Sequence, residues 1–282
     1  MLRLLQGDVG AGKTVVALNA MLIAVEAGAQ AALLAPTEIL APQHYETLAR
    51  MLQGTGVEIA LLTGRDKGKA REAILMGLVG GSIDIVVGTH AIFQDTVSYR
   101  NLALVVIDEQ HRFGVGQRLM LARKGRRTPH TLAMTATPIP RTLTLAQYGE
   151  MEVSKLDELP PGRQAIDTRV VSVERMGDVV GAIARHIETG QQAYWVCPMV
   201  SESENDDLAA AEARYAALKE RFGEDVVLVH GQLKPEAKDA GMERFASGEA
   251  SVLVATTVIE VGVDVPNATL MVIEQAERFG LA

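Results

Sequence analysis

The sequence predicts an α/β fold of two tandem domains, each a mostly parallel sheet with helices on both faces. Three observations lead to this prediction. Short apolar runs alternate with longer helical patterns along all 282 residues. Several apolar runs end directly in a polar cluster, as strands do when their carboxyl ends form a ligand-binding edge. The run Leu159-Pro160-Pro161-Gly162-Arg163 interrupts the alternation, because paired prolines cannot continue a helix or a central strand. We therefore expect one domain at residues 1–158 and a second at residues 159–282.

The apolar runs predict the strands of both domains. In the first domain we expect strands at residues 2–5, 31–35, 57–61, 83–87, 104–107 and 131–134. Helical patterns follow several of these runs, which is typical of βαβ repeats and predicts parallel pairing. In the second domain the same alternation predicts strands at residues 168–171, 193–196, 226–229, 251–255 and 270–273. The acidic stretch at residues 206–212 predicts an exposed helix.

The composition indicates a protein of a reducing, aqueous compartment. Hydrophobic residues make up 48% of the chain and aromatic residues only 4%, so the cores must consist of aliphatic side chains. The single cysteine, Cys197, excludes a disulfide within the chain. No apolar run approaches the roughly 20 residues of a membrane span, and the N-terminus does not resemble a signal peptide. We expect a cytoplasmic location and no membrane partner.

The charge is distributed unevenly along the chain. The net charge is −8, but residues 1–150 contain 15 Lys and Arg against 12 Asp and Glu, whereas the remainder contains 12 against 23. An acidic average argues against a nucleic-acid partner. Phosphates are nevertheless bound locally, by individual side chains and by backbone amides at helix ends. Net charge therefore leaves nucleic-acid binding open.

A phosphate-binding pattern follows the first predicted strand. The pattern is G-x-x-x-x-G-K-[ST], and its residues are Gly7, Asp8, Val9, Gly10, Ala11, Gly12, Lys13 and Thr14. Glycines let backbone N–H groups turn toward the phosphates of ATP, and the following helix directs its positive end at the same anions. Lys13 would reach the β- and γ-phosphates, and the Thr14 hydroxyl would hold Mg²⁺. The alternative is a glycine-rich turn before a buried helix.

Two adjacent acids follow the buried strand predicted at residues 104–107. Asp108 would ligate Mg²⁺ through water, and Glu109 would orient the water that attacks the γ-phosphate. The alternative is a solvated turn. Polar residues also follow other predicted strands, and Thr135 and Thr137 are examples. Thr137 is suited to the N-cap of a following helix. No Cys/His spacing typical of zinc occurs in the sequence.

Taken in order, these clusters resemble the motifs of superfamily 2 helicases, over essentially the whole chain. The segments that carry the resemblance are residues 7–14, 35–41, 108–115, 135–142, 159–163 and 255–268. The resemblance implies two RecA-like domains with ATP and Mg²⁺ between them and DNA across their top. At finer grain it implies an ATP-driven DNA helicase of bacterial recombination and repair that acts on branched DNA, namely stalled replication forks and Holliday junctions.

The resemblance also assigns roles to individual residues. It implies that Lys13 and Thr14 bind phosphate and metal, that Asp108 holds the metal and that Glu109 activates water. The residues implied to link the nucleotide to DNA movement are Gln110, His111, Thr135 and Thr137. Those implied to lie near the nucleic-acid backbone are Thr37, Thr63, Gly64, Thr89, His90, His230, Gly231, Thr256 and Thr257. Gly262 and Asp264 are implied to face ATP from the second domain.

The flanks of the sequence set a further expectation. Helicases of this kind that act on branched DNA carry an oligonucleotide-binding wedge before the motor and an arginine-rich motif after it, and this sequence runs from Met1 to Ala282. We expect a monomeric motor core that binds nucleotide but turns it over poorly by itself. Two alternatives stay open: a translocase of the transcription-repair coupling type, and a nucleotide-binding interaction module without catalysis.

Overall fold

A computed structural model gives the architecture. The structure describes residues 1–109, 128–136, 151–158, 166–197, 204–256 and 265–278. The chain divides into two compact units, residues 1–165 and residues 166–282. The boundary predicted between residues 158 and 159 borders a segment outside the described residues and stays a prediction. Among the described helices, none has the length and apolar character that crossing a membrane requires.

The first unit is built on a parallel sheet. Its strands are Leu2–Gly7 (β1), Gln30–Leu34 (β2), Ile59–Leu62 (β3), Ile85–Gly88 (β4), Leu102–Ile107 (β5), His130–Thr135 (β6) and Glu152–Leu156 (β7). Their order across the sheet is β3-β4-β2-β5-β6-β1-β7, and every neighbouring pair is parallel. All residues of β2 and β4 are buried, as expected for strands covered on both faces.

Three described helices pack against this sheet: Lys13–Glu26 (α1), Leu40–Met51 (α2) and Gly68–Gly80 (α3). α1 contacts β2 and β5, whereas α2 and α3 contact the β3 and β4 side. A core cluster of buried aliphatic residues joins α3 to the sheet and includes Leu34, Leu62, Leu78, Val86 and Ile107. Because the hydrophobic effect scales with the apolar area removed from water, burial of this cluster stabilises the packing of α3 on that side of the sheet.

The second unit repeats the pattern with a smaller described sheet. Its strands are Gln192–Val196 (β8), Val226–Val229 (β9), Val252–Ala255 (β10) and Ala268–Ile273 (β11), in the parallel order β11-β8-β10-β9. Its helices are Met176–Ile187 (α4), Glu204–Phe222 (α5) and Pro235–Ala246 (α6). Trp195 and Phe245 are fully buried in this unit. α5 is the predicted acidic helix, but Ala211 and Leu218 on it are buried, so one face packs inward.

The structure confirms two α/β sheets of RecA-like type, and it differs from the prediction at particular strands. β7 has no counterpart in the prediction, because its residues are mostly exposed and lack an apolar run. The strand predicted at residues 168–171 is wrong, since the structure assigns no strand there. Val170 and Val171 favour extended backbone, but a strand also needs a hydrogen-bonded neighbour, and none pairs with them among the described residues.

Candidate nucleotide and nucleic-acid site

The phosphate loop lies between β1 and α1, as predicted. Gly10 and Gly12 adopt positive φ angles of 79° and 91°, which glycine tolerates because it lacks a Cβ. The Asp8 carboxylate accepts the Val9 N–H at 2.8 Å, and the Asp8 carbonyl accepts the Ala11 N–H at 3.1 Å. These bonds curl the backbone so that α1 begins at Lys13 with its positive end toward the loop. The loop geometry suits an anion.

Lys13 is folded back over the loop. Its ammonium donates to the carbonyl oxygens of Gly7 and Asp8, each at 2.8 Å. Partial burial lowers the pKa of Lys13, while the carboxylates of Glu109, Asp108 and Asp8 act in the opposite direction. Because the charges of Glu109 and Asp108 both act on the pKa of Lys13, the phosphate loop and the acid pair belong to one candidate site. An anionic phosphate in the loop would offset the burial and favour the charged ammonium.

The predicted acids end β5, next but one to β1 in the sheet. Asp108 is buried, and its N–H continues the sheet by donating to the Leu34 carbonyl at 2.9 Å. The Glu109 N–H donates to the Asp108 Oδ1 atom at 3.1 Å. Glu109 has a φ of 47°, in the left-handed region that non-glycine residues seldom occupy. Such strain concentrates at functional sites, because it aims a side chain that relaxed backbone would point elsewhere.

Thr135 lies between these two motifs. It ends β6, the strand that separates β5 from β1, and it is fully buried. The predicted coupling position is therefore adjacent in the sheet to both the phosphate loop and the acids. This adjacency follows from strand order and not from proximity in the sequence.

His44 contacts the candidate site, and sequence reasoning did not select it. It lies on α2, and its Nε2 atom is 2.7 Å from the Asp108 Oδ2 atom, with only 14% and 12% of the two side chains exposed. The residues are 64 positions apart. No local pattern could have paired them, because the contact depends on β2 and β5 being neighbours in the sheet.

The residues present fit a magnesium ion that arrives with a nucleotide. Thr14 and Asp108 supply oxygen donors, which hard divalent cations prefer, and Mg²⁺ sites commonly use one or two protein ligands plus phosphates and water. Within the described residues, no group of three or more His, Cys, Asp or Glu side chains is placed to hold a metal by itself. These donors therefore suit a metal ion that is coordinated jointly by the protein and the nucleotide phosphates, more than one bound by the protein alone.

The predicted nucleic-acid residues of the first unit cluster at the ends of β2, β4 and β3. Glu38, which sequence reasoning did not select, joins them: its Oε1 atom accepts the Thr89 hydroxyl at 2.7 Å and the Gly64 N–H at 3.1 Å. Its Oε2 atom is buried without a hydrogen-bond partner. The Thr63 N–H and hydroxyl both donate to Asp66, at 2.7 and 3.0 Å.

Among the predicted nucleic-acid residues of the first unit, the threonines make hydrogen bonds within the protein, whereas His90 is exposed. Thr63 and Thr89 are 6% and 3% exposed, and their hydroxyls donate to the carboxylates of Asp66 and Glu38. The Thr37 hydroxyl oxygen accepts the N–H of Leu40, the first residue of α2, at 3.3 Å. His90 is exposed at the start of a 3₁₀ turn, His90–Phe93. The threonines therefore shape this edge, and His90 offers a side chain to solvent.

The second unit contributes fewer described site residues. His230 and Thr256 are buried, and Gly231 is exposed. The Nδ1 atom of His230 is buried without a partner, and burial is the main cause of its lowered pKa. Burial also raises the pKa of Cys197 to about 12, which makes the thiol unreactive and supports a packing role.

Arg214, Glu274 and Trp195 form a charged cluster beside β11, the edge strand of the second sheet. Arg214 on α5 donates to both carboxylate oxygens of Glu274, at 2.5 and 3.2 Å, and the Trp195 indole N–H donates to the same carboxylate at 2.5 Å. The guanidinium also lies over the Trp195 ring, 5.2 Å from its centre. We assign this cluster to stabilising the unit, since its groups satisfy one another.

Several predicted site residues lie outside the described residues. They are Gln110, His111, Thr137, Thr257, Gly262 and Asp264. Their assigned roles stay predictions.

Comparison with known families decides the assignment. The model of the DEAD/DEAH box helicase family matches residues 3–145, and that of the helicase conserved C-terminal domain matches residues 174–279. The chain belongs to the DEAD/DEAH box helicase family. As a member, it carries the family's nucleotide-binding domain, and the phosphate loop and acid pair described above lie inside the matched range.

Individual relatives refine the comparison. The chain is 52% identical over 287 residues to the ATP-dependent DNA helicase RecG of Haemophilus influenzae, and 49% identical over 284 residues to that of Bacillus subtilis. These matches cover 100% of this chain but 41% and 42% of the relatives. The chain therefore spans about two fifths of their length. The finer resemblance that the sequence motifs imply, to a DNA helicase of bacterial recombination and repair, is thus a resemblance to RecG.

Solved structures agree with this result. A structure of RecG bound to a three-way DNA junction matches with a TM-score of 0.80 and 45% identity, over 99% of this chain and 36% of that chain. The Mycobacterium smegmatis helicase Lhr, bound to single-stranded DNA and AMP-PNP, matches with a TM-score of 0.67 at 18% identity, over 96% of this chain and 40% of that chain. The second likeness shows the fold alone.

Proposed function

We propose that this chain is the motor of an ATP-dependent DNA helicase that acts on branched DNA, such as replication forks and Holliday junctions. The proposal rests on one edge of the first sheet, where two groups of predicted site residues lie side by side. The ends of β1, β6 and β5 hold the phosphate loop, Thr135 and the acid pair, while the ends of β2, β4 and β3 hold the predicted nucleic-acid residues. Because all seven strands are parallel, both halves lie along the same edge.

The nucleotide half suits phosphoryl transfer. Lys13 and the backbone of the loop would bind the β- and γ-phosphates, and the oxygens of Thr14 and Asp108 would hold Mg²⁺. The metal, when bound, supplies positive charge that neutralises the phosphate oxygens. Glu109, aimed by its left-handed backbone, would accept a proton from the attacking water. The electrostatic influence of Glu109 and Asp108 on Lys13 supports these roles.

Relatives favour branched DNA as the partner over the transcription-repair coupling alternative. The RecG proteins match the whole chain at about half identity, and one RecG structure contains a three-way junction. The monomeric state, the cytoplasmic location and the contribution of Gly262 and Asp264 to the ATP site stay predictions.

Nucleotide titration tests the first half of the proposal. A fluorescent ATP analogue should bind the wild-type chain, and Lys13→Ala should weaken that binding at least tenfold, because the ammonium is the principal cation of the loop. Glu109→Gln should retain binding and lose hydrolysis, since the amide keeps the shape and removes the base. If Glu109→Gln abolished binding, the role assigned to Glu109 would be wrong.

Junction binding tests the second half. A three-way junction and a linear duplex of equal length are compared by fluorescence anisotropy, at one salt concentration because phosphate contacts depend on salt. The proposal expects tighter binding of the junction and faster ATP hydrolysis in its presence. Nucleotide binding with no response to any DNA would favour the nucleotide-binding interaction module instead.

A further inference from the structure

We propose that His44 is a positioning residue that holds the Asp108 carboxylate in the orientation needed for the metal of the nucleotide site. This inference rests on the proposed function. The pair joins α2 to the end of β5, with 2.7 Å between the His44 Nε2 and Asp108 Oδ2 atoms, and both side chains are largely buried. A buried charged group normally needs such a partner, because desolvation otherwise disfavours its ionised form.

The proposal fixes the direction of the hydrogen bond. A carboxylate that holds a metal ion is ionised and only accepts hydrogen bonds, so the proposal requires the hydrogen on the His44 Nε2 atom. The Asp108 Oδ1 atom accepts the Glu109 N–H at 3.1 Å. With a donor on each oxygen, the carboxylate cannot rotate freely about its Cβ–Cγ bond. Each oxygen keeps a second lone pair for a metal or for a metal-bound water.

Position in the fold distinguishes His44 from an ordinary packing residue. α2 begins two residues after Glu38, which lies with Thr37 at the predicted nucleic-acid edge, and His44 is on the second turn of that helix. The Asp108 backbone is bonded to Leu34 at the end of β2, the strand that leads into α2. One continuous segment thus reaches from the nucleic-acid edge to the acid that would hold the metal.

A side chain that orients a metal ligand through a hydrogen bond changes the affinity for the metal. Groups that orient a metal ligand typically change metal affinity by about 10- to 100-fold when they are removed. We therefore expect loss of the His44 donor to weaken metal binding and to leave the affinity for metal-free nucleotide unchanged, because the His44 Nε2 atom contacts Asp108, whereas Lys13 donates to the loop carbonyls.

The experiment uses Mn²⁺ as the probe, measured by electron paramagnetic resonance on the chain saturated with ADP. His44→Phe keeps a ring but removes the donor, and should raise the Mn²⁺ concentration at half-saturation about tenfold. His44→Gln restores a donor near the Nε2 position without a titratable group, and should recover affinity to within about threefold of wild type. Glu46→Gln, an exposed change on the same helix, is the matched control and should have no effect.

Binding of the fluorescent ATP analogue in EDTA separates this inference from the proposed function. If wild type fails to bind the analogue, the proposed function fails. If all variants bind the analogue equally and His44→Phe also binds Mn²⁺ like wild type, the positioning role is overturned. Should His44→Phe not fold, the shorter His44→Asn is measured in its place, with the same expectation. Equal losses in His44→Gln and His44→Asn would also overturn the role, because a donor would then not matter.

Discussion

At the residue scale, a close approach of neighbouring backbone restricts Gly88 to glycine. A Cβ on Gly88, at the end of β4, would lie 2.0 Å from the Leu62 carbonyl oxygen and 2.5 Å from the Ile92 side chain. The oxygen belongs to the neighbouring strand β3, so it cannot move without breaking the sheet. Gly88 therefore allows β3 and β4 to bring their ends, and the polar residues after them, close together.

Gly88→Ala should lower the free energy of unfolding by about 3 kcal/mol or more, since overpacking against backbone is poorly relieved. Gly80→Ala is the matched control: a Cβ there meets nothing within 4 Å, and it lies at the end of α3. We expect Gly80→Ala to be neutral or slightly stabilising, because alanine favours helix. Urea unfolding of both variants measures the difference, and equal stabilities would contradict the steric argument.

His230 makes stability depend on pH. Burial lowers its pKa below the ordinary value of 6.5, with Lys238 adding to the shift and Glu212 opposing it. The unfolded chain therefore binds a proton more readily than the folded chain as the pH falls below about 6.5. This residue's contribution to stability is present above that pH and is lost as the pH falls through the folded pKa.

The prediction compares wild type with His230→Gln between pH 7.5 and pH 5. The wild-type free energy of unfolding should fall more steeply, by at most about 1.4 kcal/mol per pH unit relative to the variant. Carboxylates titrate in both proteins, so their contribution cancels in the difference. Parallel curves would show that the folded chain protonates His230 as easily as the unfolded chain does.

At the scale of elements, Glu38 connects three strand ends. It follows β2, and its Oε1 atom accepts hydrogen bonds from Gly64 after β3 and from Thr89 after β4. Because Thr89 is buried, its hydroxyl cannot reach a DNA phosphate without a shift of the strand end. Glu38 therefore stabilises the arrangement of the three strand ends at this edge of the sheet.

Glu38→Ala should weaken binding of the three-way junction about five- to tenfold, which corresponds to about 1 to 1.4 kcal/mol, the size of one hydrogen bond. Glu38→Gln keeps an acceptor and should bind within threefold of wild type. Glu72→Ala removes the same charge from an exposed position on α3 and serves as the control. Tighter binding by Glu38→Ala would instead mean that Glu38 competes with phosphate for these donors.

At the scale of the whole molecule, the described nucleotide-site residues all belong to one unit. Lys13, His44, Asp108 and Glu109 lie within residues 1–165, which form a compact unit with a sheet and a hydrophobic core of their own. Units of this size and compactness commonly fold independently.

Residues 1–165 expressed alone should therefore fold and bind the fluorescent ATP analogue, with Lys13→Ala as the negative control. We expect affinity within about tenfold of the 282-residue chain, because any contribution from Gly262 and Asp264 is absent. A cooperative thermal transition establishes folding. A folded unit that binds no analogue would show that the second unit is essential for nucleotide binding.

The sequence by itself determined the fold class, and it predicted the phosphate loop and the acid pair of the candidate nucleotide site. Alternating apolar and helical patterns are local properties, so β1, β2, β5 and the other apolar strands were predictable to within a few residues. The phosphate loop was predictable because its glycines, Lys13 and Thr14 are contiguous. Asp108 and Glu109 were predictable because they end a strand whose burial is visible in its composition.

Only the tertiary structure decided which motifs meet. The order β3-β4-β2-β5-β6-β1-β7 places Thr135 between the acids and the phosphate loop, brings His44 to Asp108, and lets Glu38 join Gly64 to Thr89. The hydrogen-bonded pairs among them are separated by 26 to 64 residues, and local patterns carry no information about such distances. Strand order is set by burial of the whole core, so the contacts that complete the site exist only once the sheet has formed.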